Sequence, residues 1–449
     1  MMKNIKKLLS LLLVLCVLVA CFTGCKDNTS TQGGNSTSTV DYVEQTKLNM
    51  DSETKKQEVT VKSFIDGDTT HFFVPTELSA DGTLKARYMG VNTPESTGKI
   101  EEWGKKASNF TKEKLSGATS IIVESDNDQW NVDSTGGRHL VWVWYKPADS
   151  EDYRCLNLEL IQNGLSISCG TTADRYGDAA SKAFQQAKAQ QLHVFSGEED
   201  PDFFYGDAYE LDLKFLRTNI SLYDNTKVAF EGVVTYNNNN SVYVEEYDPE
   251  TDMYYGMSVY YGYETGELLN ILKVGNRVRV VGTVTYYETG GTWQVSGLNY
   301  REFKPEDPSN TIKISEGNAA SHRETDPAIF ASGTMDVETL VSLDGEDTEI
   351  KTFDYANLAM STSVSMKNLT VVDAYTTNNG GDSDGAMTLT CKVGDTFVDV
   401  RTIVLYDENG NMLTESNYMN KTIDVKGIVD YFSGSYQIKV FTANDITVH

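Results

Sequence analysis

The sequence predicts a β-rich, multi-domain chain: a small barrel carrying three helices, followed by two mainly-β barrels. Three observations carry this expectation. Residues 57–197 contain five short stretches of alternating apolar and polar residues and three segments of helical periodicity. Past Gly197 helical periodicity fades, and Tyr, Val, Thr, Gly and Asn take over. Within that second half a strand–glycine–hairpin pattern occurs twice. The 449 residues leave room for two or three domains.

In chain order, residues 1–25 read as an export signal. Lys3, Lys6 and Lys7 precede an apolar run from Leu8 to Val19. Small residues then lead to cysteines in Leu18-Val19-Ala20-Cys21 and Phe22-Thr23-Gly24-Cys25. This ending resembles a bacterial lipoprotein signal, which implies lipidation at Cys21 (or Cys25). The alternative is an uncleaved anchor, since the run is near spanning length. Both readings export the remainder, lipid-anchored to the outer face of the cytoplasmic membrane or secreted. Residues 26–56, rich in Ser, Thr, Asn, Gln and Gly, are predicted to be a flexible tether, with a reach of roughly 30 Å.

In residues 57–197 strands are expected around Val59–Val61, His71–Val74, Lys85–Val91, Ser120–Val123 and Leu140–Tyr145. Helices are expected from about Glu101 to Leu115, Leu156 to Asn163 and Asp178 to Gln191. Gly164 supplies a C-terminal cap for the second. Five strands with three helices suit a Greek-key barrel of the OB type. Residues 198–219 read as a linker. In the second half, Val278–Tyr286 with Gly291–Val295 parallels Ile423–Tyr431 with Gly434–Ile438, glycines Gly282 and Gly427 standing at matching places. A further candidate hairpin precedes each: Val228–Tyr236 with Val242–Glu246, and Leu369–Tyr375 with Met387–Val393. Two OB-like domains are therefore expected at 220–304 and 360–449, joined by a partly ordered linker, 305–359.

The net charge is −27. Residues 57–197 carry 19 acidic against 14 basic side chains, and residues 198–449 carry 41 against 17. This balance argues against tight, non-specific DNA binding. It does not exclude a nuclease, because charges farther than about 8 Å away are screened at physiological salt. After the signal only Cys155, Cys169 and Cys391 remain. A Cys155–Cys169 bridge and buried free thiols both fit. The five histidines show no metal-ligand spacing.

The chemistry concentrates in four strings: Asp66-Gly67-Asp68-Thr69, Arg87, Asn92-Thr93-Pro94-Glu95 and Arg138. They offer oxygen donors for a hard cation, a carboxylate able to activate water and two guanidinium forks matched to phosphate. Their order and spacing, with Trp103-Gly104, Ala107-Ser108, Phe110-Thr111, Gly136-Gly137-Arg138, Asn157 and Gly164-Leu165, resemble the staphylococcal nuclease (thermonuclease-like) family over residues 57–197. The resemblance implies a calcium-dependent phosphodiesterase acting on DNA, with RNA a second substrate, and leaving 3′-phosphates. It implies Ca²⁺ on Asp68, Asn92 and the Thr93 carbonyl, Glu95 as general base or water-positioner, and Arg87 and Arg138 on the phosphate. Asn92 stands where the family often has Asp, which implies weaker calcium binding. Gly136 replaces a tyrosine before Arg138, and the tyrosines after the Gly-Leu turn are replaced near Gly170 and Thr172; Tyr153 and Tyr176 are the candidate substitutes. The rival reading is a non-catalytic surface lipoprotein whose barrels bind nucleic acid or another ligand.

For the C-terminal barrels three roles compete: binding single-stranded nucleic acid, binding wall polymer or protein, and spacing the enzyme from the envelope. Candidate stacking rings are Tyr236, Tyr243, Tyr260, Tyr261, Trp293 and Tyr436. Asp382-Ser383-Asp384-Gly385 reads as a solvated turn. A monomer is expected.

Overall fold

A computed structural model describes residues 39–135, 137–263, 266–343 and 345–449; the signal segment, with Cys21 and Cys25, and Gly136 lie outside them. From Asp41 onward the chain forms one unit containing three closed five-stranded barrels.

Helix α1 (Tyr42–Gln45) comes first, capped by the Asp41 side chain. The first barrel uses β1 (Lys56–Asp66), β2 (Thr69–Phe73), β3 (Thr83–Tyr88), β4 (Ala118–Glu124) and β5 (His139–Pro147), with β6 (Arg154–Cys155) at the edge. Neighbours pair antiparallel except β3 and β5, whose parallel pairing closes the ring. Helix α2 (Gly104–Ser116) lies between β3 and β4, while α3 (Leu156–Gln162) and α4 (Gly177–Ala189) follow the barrel. The apolar alternation faces one core built from Phe72, Leu84, Val123, Val141, Trp142 and Trp144 with Leu158 and Ala183 from the helices.

The second barrel comprises β7 (Tyr209–Glu210), α5 (Leu213–Thr218), β8 (Lys227–Asn237), β9 (Ser241–Asp248), β10 (Met253–Tyr260), α6 (Glu267–Ile271), β11 (Arg277–Tyr287), β12 (Thr292–Ser296) and β13 (Ile312–Ser315). The β8–β11 pairing closes it, and β10–β12 is its one parallel pair within the ring. Next come β14 (Arg323–Glu324), α7 (Pro327–Ser332), the hairpin of β15 (Thr334–Leu340) and β16 (Thr348–Asp354), and α8 (Tyr355–Leu358). The third barrel repeats the plan with β17 (Ser363–Thr376), β18 (Met387–Val393), β19 (Thr396–Thr402), β20 (Thr422–Phe432), β21 (Ser435–Val440) and the edge strand β22 (Ile446–Val448). Here β17–β20 closes and β19–β21 is parallel. The matched glycines have one physical role. A Cβ on Gly282 would stand 2.7 Å from Val295 Cγ1, and one on Gly427 2.5 Å from the Lys439 carbonyl oxygen. At each position the bent strand touches its hairpin partner too closely for a side chain.

Several expectations are corrected. The tether does not reach residue 56: Val43 is buried, and Tyr42 N donates to Gln162 Oε1 on α3. Residues 198–219 are not a plain linker but supply β7 and α5, and residues 305–359 supply β13 through α8. Among the described residues the three cysteines are free thiols, Cys155 and Cys391 buried, so the bridge left open above does not form. Most of the proposed stacking rings are spent on packing. Tyr236 stacks on Phe441 at 3.8 Å, Tyr243 and Tyr261 are buried, and Tyr436 accepts a hydrogen bond from Asn357. Tyr260 is exposed, as are Tyr375 and Phe432, which the sequence reading did not select.

Candidate active site

The pairing of Asp66 with Thr69 leaves Gly67 and Asp68 as the turn between β1 and β2. A Cβ on Gly67 would lie 2.8 Å from Thr93 Oγ1 and 2.9 Å from the Ala107 Cβ, so glycine lets this turn wedge between the Thr93 segment and α2. Thr111 Oγ1 on α2 donates to the Gly67 carbonyl at 2.5 Å. Asp68 is thereby buried, 1% exposed.

Two predicted residues, Arg87 and Thr93, bond to Asp68, and Asn92 joins them through Arg87. Arg87, at the end of β3, donates through one terminal nitrogen to Asp68 Oδ1 and through the other to Asn92 Oδ1 at 2.6 Å. The Thr93 amide donates to Asp68 Oδ2 at 2.9 Å. Asn92 is pinned from below: its N–H donates to Ser166 Oγ at 3.0 Å, and its carbonyl accepts from Ile167 N at 2.8 Å. Burial pushes the Asp68 carboxyl above its ordinary range, with the Arg87 charge opposing the shift.

Glu95 follows on the same loop. The residue is exposed, but its carboxyl stands within hydrogen-bonding reach of Asp66. Desolvation of that carboxyl, then the hydrogen bond and charge of Asp66, then the charge of Asp68, raise Glu95 from 4.5 to about 8. Ser96 holds Asp66 in turn, its Oγ donating to Oδ1 at 2.7 Å. The Glu95 carbonyl presses on the start of α2, where a Cβ on Gly104 would come within 2.0 Å of it.

Arg138 stands apart. It precedes His139, which pairs with Ala86 across the β3–β5 seam, next to Arg87. Among the described residues it makes no hydrogen bond to the Asp68 cluster; its Nε donates to Asp133 Oδ2 at 2.7 Å. Burial works against ionising Asp133, but hydrogen bonds from Thr135 and Arg138 bring it down to about 2. The pair occupies Nε and leaves the outer end of the Arg138 fork for another anion.

Sequence reasoning missed Ser96, Asp133 and Glu101, whose Oε2 accepts from the Glu95 amide at 3.0 Å. Asp133 and Glu101 lie five and six residues from their partners, a spacing only the loop shapes explain. The substitute rings are otherwise engaged. Tyr176 sits edge-on to Trp142 and Trp144 and donates to Glu124, while Tyr153 donates to Ser120. At Gly170 a Cβ would come within 2.9 Å of the Gly90 Cα, so a ring has no room there.

No three His, Cys, Asp or Glu side chains converge on a metal site among the described residues. The expected set holds one carboxylate, one amide oxygen and one main-chain carbonyl, all hard oxygen donors. Acid crowds it through Asp66 and Glu95, and Thr93 Oγ1 is buried beside it without a hydrogen-bond partner among the described residues. This set fits a hard divalent cation of the calcium kind. No curated protein matches the chain. Residues 85–196, a span holding Arg87, Asn92, Thr93, Glu95 and Arg138 but starting after Asp68, match the family model described as staphylococcal nuclease homologue, and these residues form a domain of that family.

Proposed function

We propose that the first barrel hydrolyses phosphodiester bonds of nucleic acid, DNA or RNA, with calcium. The observation that carries this reading is the Arg87 fork spanning Asp68 and Asn92, which turns two oxygen donors and a phosphate-matched cation toward one point. Asp68, Asn92 and the Thr93 carbonyl would hold Ca²⁺, which when bound supplies Lewis-acid polarisation of the phosphate. Glu95, whose ionised form a bound cation would favour, takes the proton of the attacking water. Arg87 exchanges its carboxylate and amide partners for phosphate oxygens, and Arg138 offers the free end of its fork to the same group. Together they oppose the charge that accumulates in the transition state. The 3′-phosphate product is carried over from the family resemblance.

The test uses the full chain lacking its signal, incubated with single- and double-stranded DNA and with RNA, in calcium or EDTA. Cleavage in calcium and none in EDTA is expected; intact DNA and RNA in calcium would overturn the proposal. Export and lipidation at Cys21 (or Cys25) form a separate proposal, supported by the basic, apolar and small-residue-Cys order of the first 25 residues. Mass spectrometry of the mature N-terminus should show a diacylglyceryl cysteine, and an unprocessed Met1 would refute it.

A further inference from the structure

We infer that the second barrel is a working part of the hydrolytic site, because a strap of backbone pairing between residues 98–100 and 210–212 fixes the turn that carries Glu95. This rests on the role of Glu95 given above.

The strap has two edges. On one side β7 and the residue after it join the second barrel: Tyr209 and Glu210 pair with Val228 and Ala229, and Leu211 N donates to Ala229 O at 2.8 Å. On the other side the same segment pairs with the first barrel. Ile100 N donates to Glu210 O at 3.0 Å, Asp212 N donates to Gly98 O at 3.0 Å, and Lys99 forms an antiparallel bridge with Leu211. The catalytic loop thus extends the seven-stranded sheet of its neighbour by one short strand.

One carboxylate ties the two together. Asp212 caps α5 by accepting from Phe215 N at 2.6 Å through Oδ1, and it accepts from Gly98 N through Oδ2. The strap is rooted deeply. Glu210 is paired through both oxygens with Arg279, which is 1% exposed and also donates to the Pro308 and Asn310 carbonyls. From Ile100 the path back to the site is short, since the Glu101 amide donates to the Glu95 carbonyl at 2.9 Å and Glu101 Oε2 accepts the Glu95 amide. Lys105 on α2 adds an ion pair to Glu231 on β8. Glu95 therefore lies on a loop held at its far end by another domain, and Asp212 acts as a positioning residue.

The discriminating variant is Asp212→Asn in the full chain. Asparagine keeps the helix cap through its oxygen, but then turns its NH₂ group toward the Gly98 N–H, and donor meets donor. The expected result is a kcat lower by about tenfold, because sub-ångström to 1 Å displacement of a base is costly, with KM within about twofold. Amide exchange at Gly98 and Ile100 should accelerate. In a Glu95→Gln background the same change should alter the residual rate by less than about twofold, since there is no longer a base to misplace. Wild-type kcat in Asp212→Asn, or an equal loss in both backgrounds, would overturn the inference. Where Asp212→Asn does not fold, Asp212→Ser caps the helix without the NH₂ group and is read the same way. A wild-type chain that cleaves nothing refutes hydrolysis, whereas fast exchange at Gly98 and Ile100 in the wild type refutes the strap.

Discussion

Gly104→Ala is a one-atom-group perturbation with a calculable consequence. Alanine normally favours a helix over glycine by up to about 1 kcal/mol. Here its Cβ would sit 2.0 Å from the Glu95 carbonyl oxygen, 2.6 Å from its carbon and 3.1 Å from the Pro94 oxygen. Ordinary contact begins near 3.4 Å, so the Glu95 backbone must retreat by about 1.4 Å, the difference from 2.0 Å. Overpacking of this kind costs about 1–3 kcal/mol, partly offset by helix propensity, so the net loss of about 0–3 kcal/mol leaves a chain of ordinary stability folded. A shift of that size in a catalytic base is worth about 10²-fold in rate. Initial rates of DNA cleavage in calcium, run beside a thermal melt, measure both effects. A Gly104→Ala enzyme that melts normally and turns over within twofold of wild type would refute the placement of Glu95.

Arg87→Ala, Glu95→Gln and Arg138→Ala should each lower kcat by about 10²-fold or more in protein that stays folded; normal turnover by any one removes it from the mechanism. Asp133→Ala should release the Nε of Arg138 and raise KM several-fold while kcat changes less, measured on a short oligonucleotide; an unchanged KM would show that Asp133 does not orient the fork. Glu95 is raised from 4.5 to about 8 without metal, so between those values the folded chain holds a proton that the unfolded chain has released. Stability in EDTA should therefore fall as pH rises through that window, and both calcium and Glu95→Gln should flatten the slope of melting temperature against pH. Arg279→Leu leaves Glu210 buried without its partner and should cost about 3–5 kcal/mol in urea denaturation; a loss below 1 kcal/mol would mean the strap is weakly rooted.

The barrels were legible in the sequence because their strands alternate over several residues and their repeated hairpins carry Gly282 and Gly427 at one position. The three long helices were legible from the spacing of residues such as Ala107, Ala180, Ala183 and Ala187, all buried. Residues 41–56 and 198–219 were not, because their strands and helices are too short to show a period, and in residues 305–359 the β15–β16 hairpin leaves most of its side chains exposed and carries a weak apolar pattern. Long-range partners order them instead, such as Arg279 for Glu210, 69 residues away, and Gln162 for Tyr42, 120 away. At the site the candidate residues Asp66, Asp68, Arg87, Asn92, Thr93, Glu95 and Arg138 were readable as types. Their supports, Ser96, Asp133 and Glu101, were not, since a lone Ser or acid in a loop has no signature until the turn is built. The cysteine pairing stayed open and most of the stacking rings were misjudged because burial, which decides both, is a property of the folded contacts.

Barrels two and three are fused face to face. Buried Glu245 of β9 accepts from the Ser363 amide and hydroxyl and from Ser321, a Cβ on Gly256 would touch the Ser361 backbone at 2.6 Å, and one apolar cluster runs from Leu211 to Ile446. Neither barrel can bury its half of that cluster alone, so the two form a single cooperative unit, and a cut between them would expose apolar surface on both.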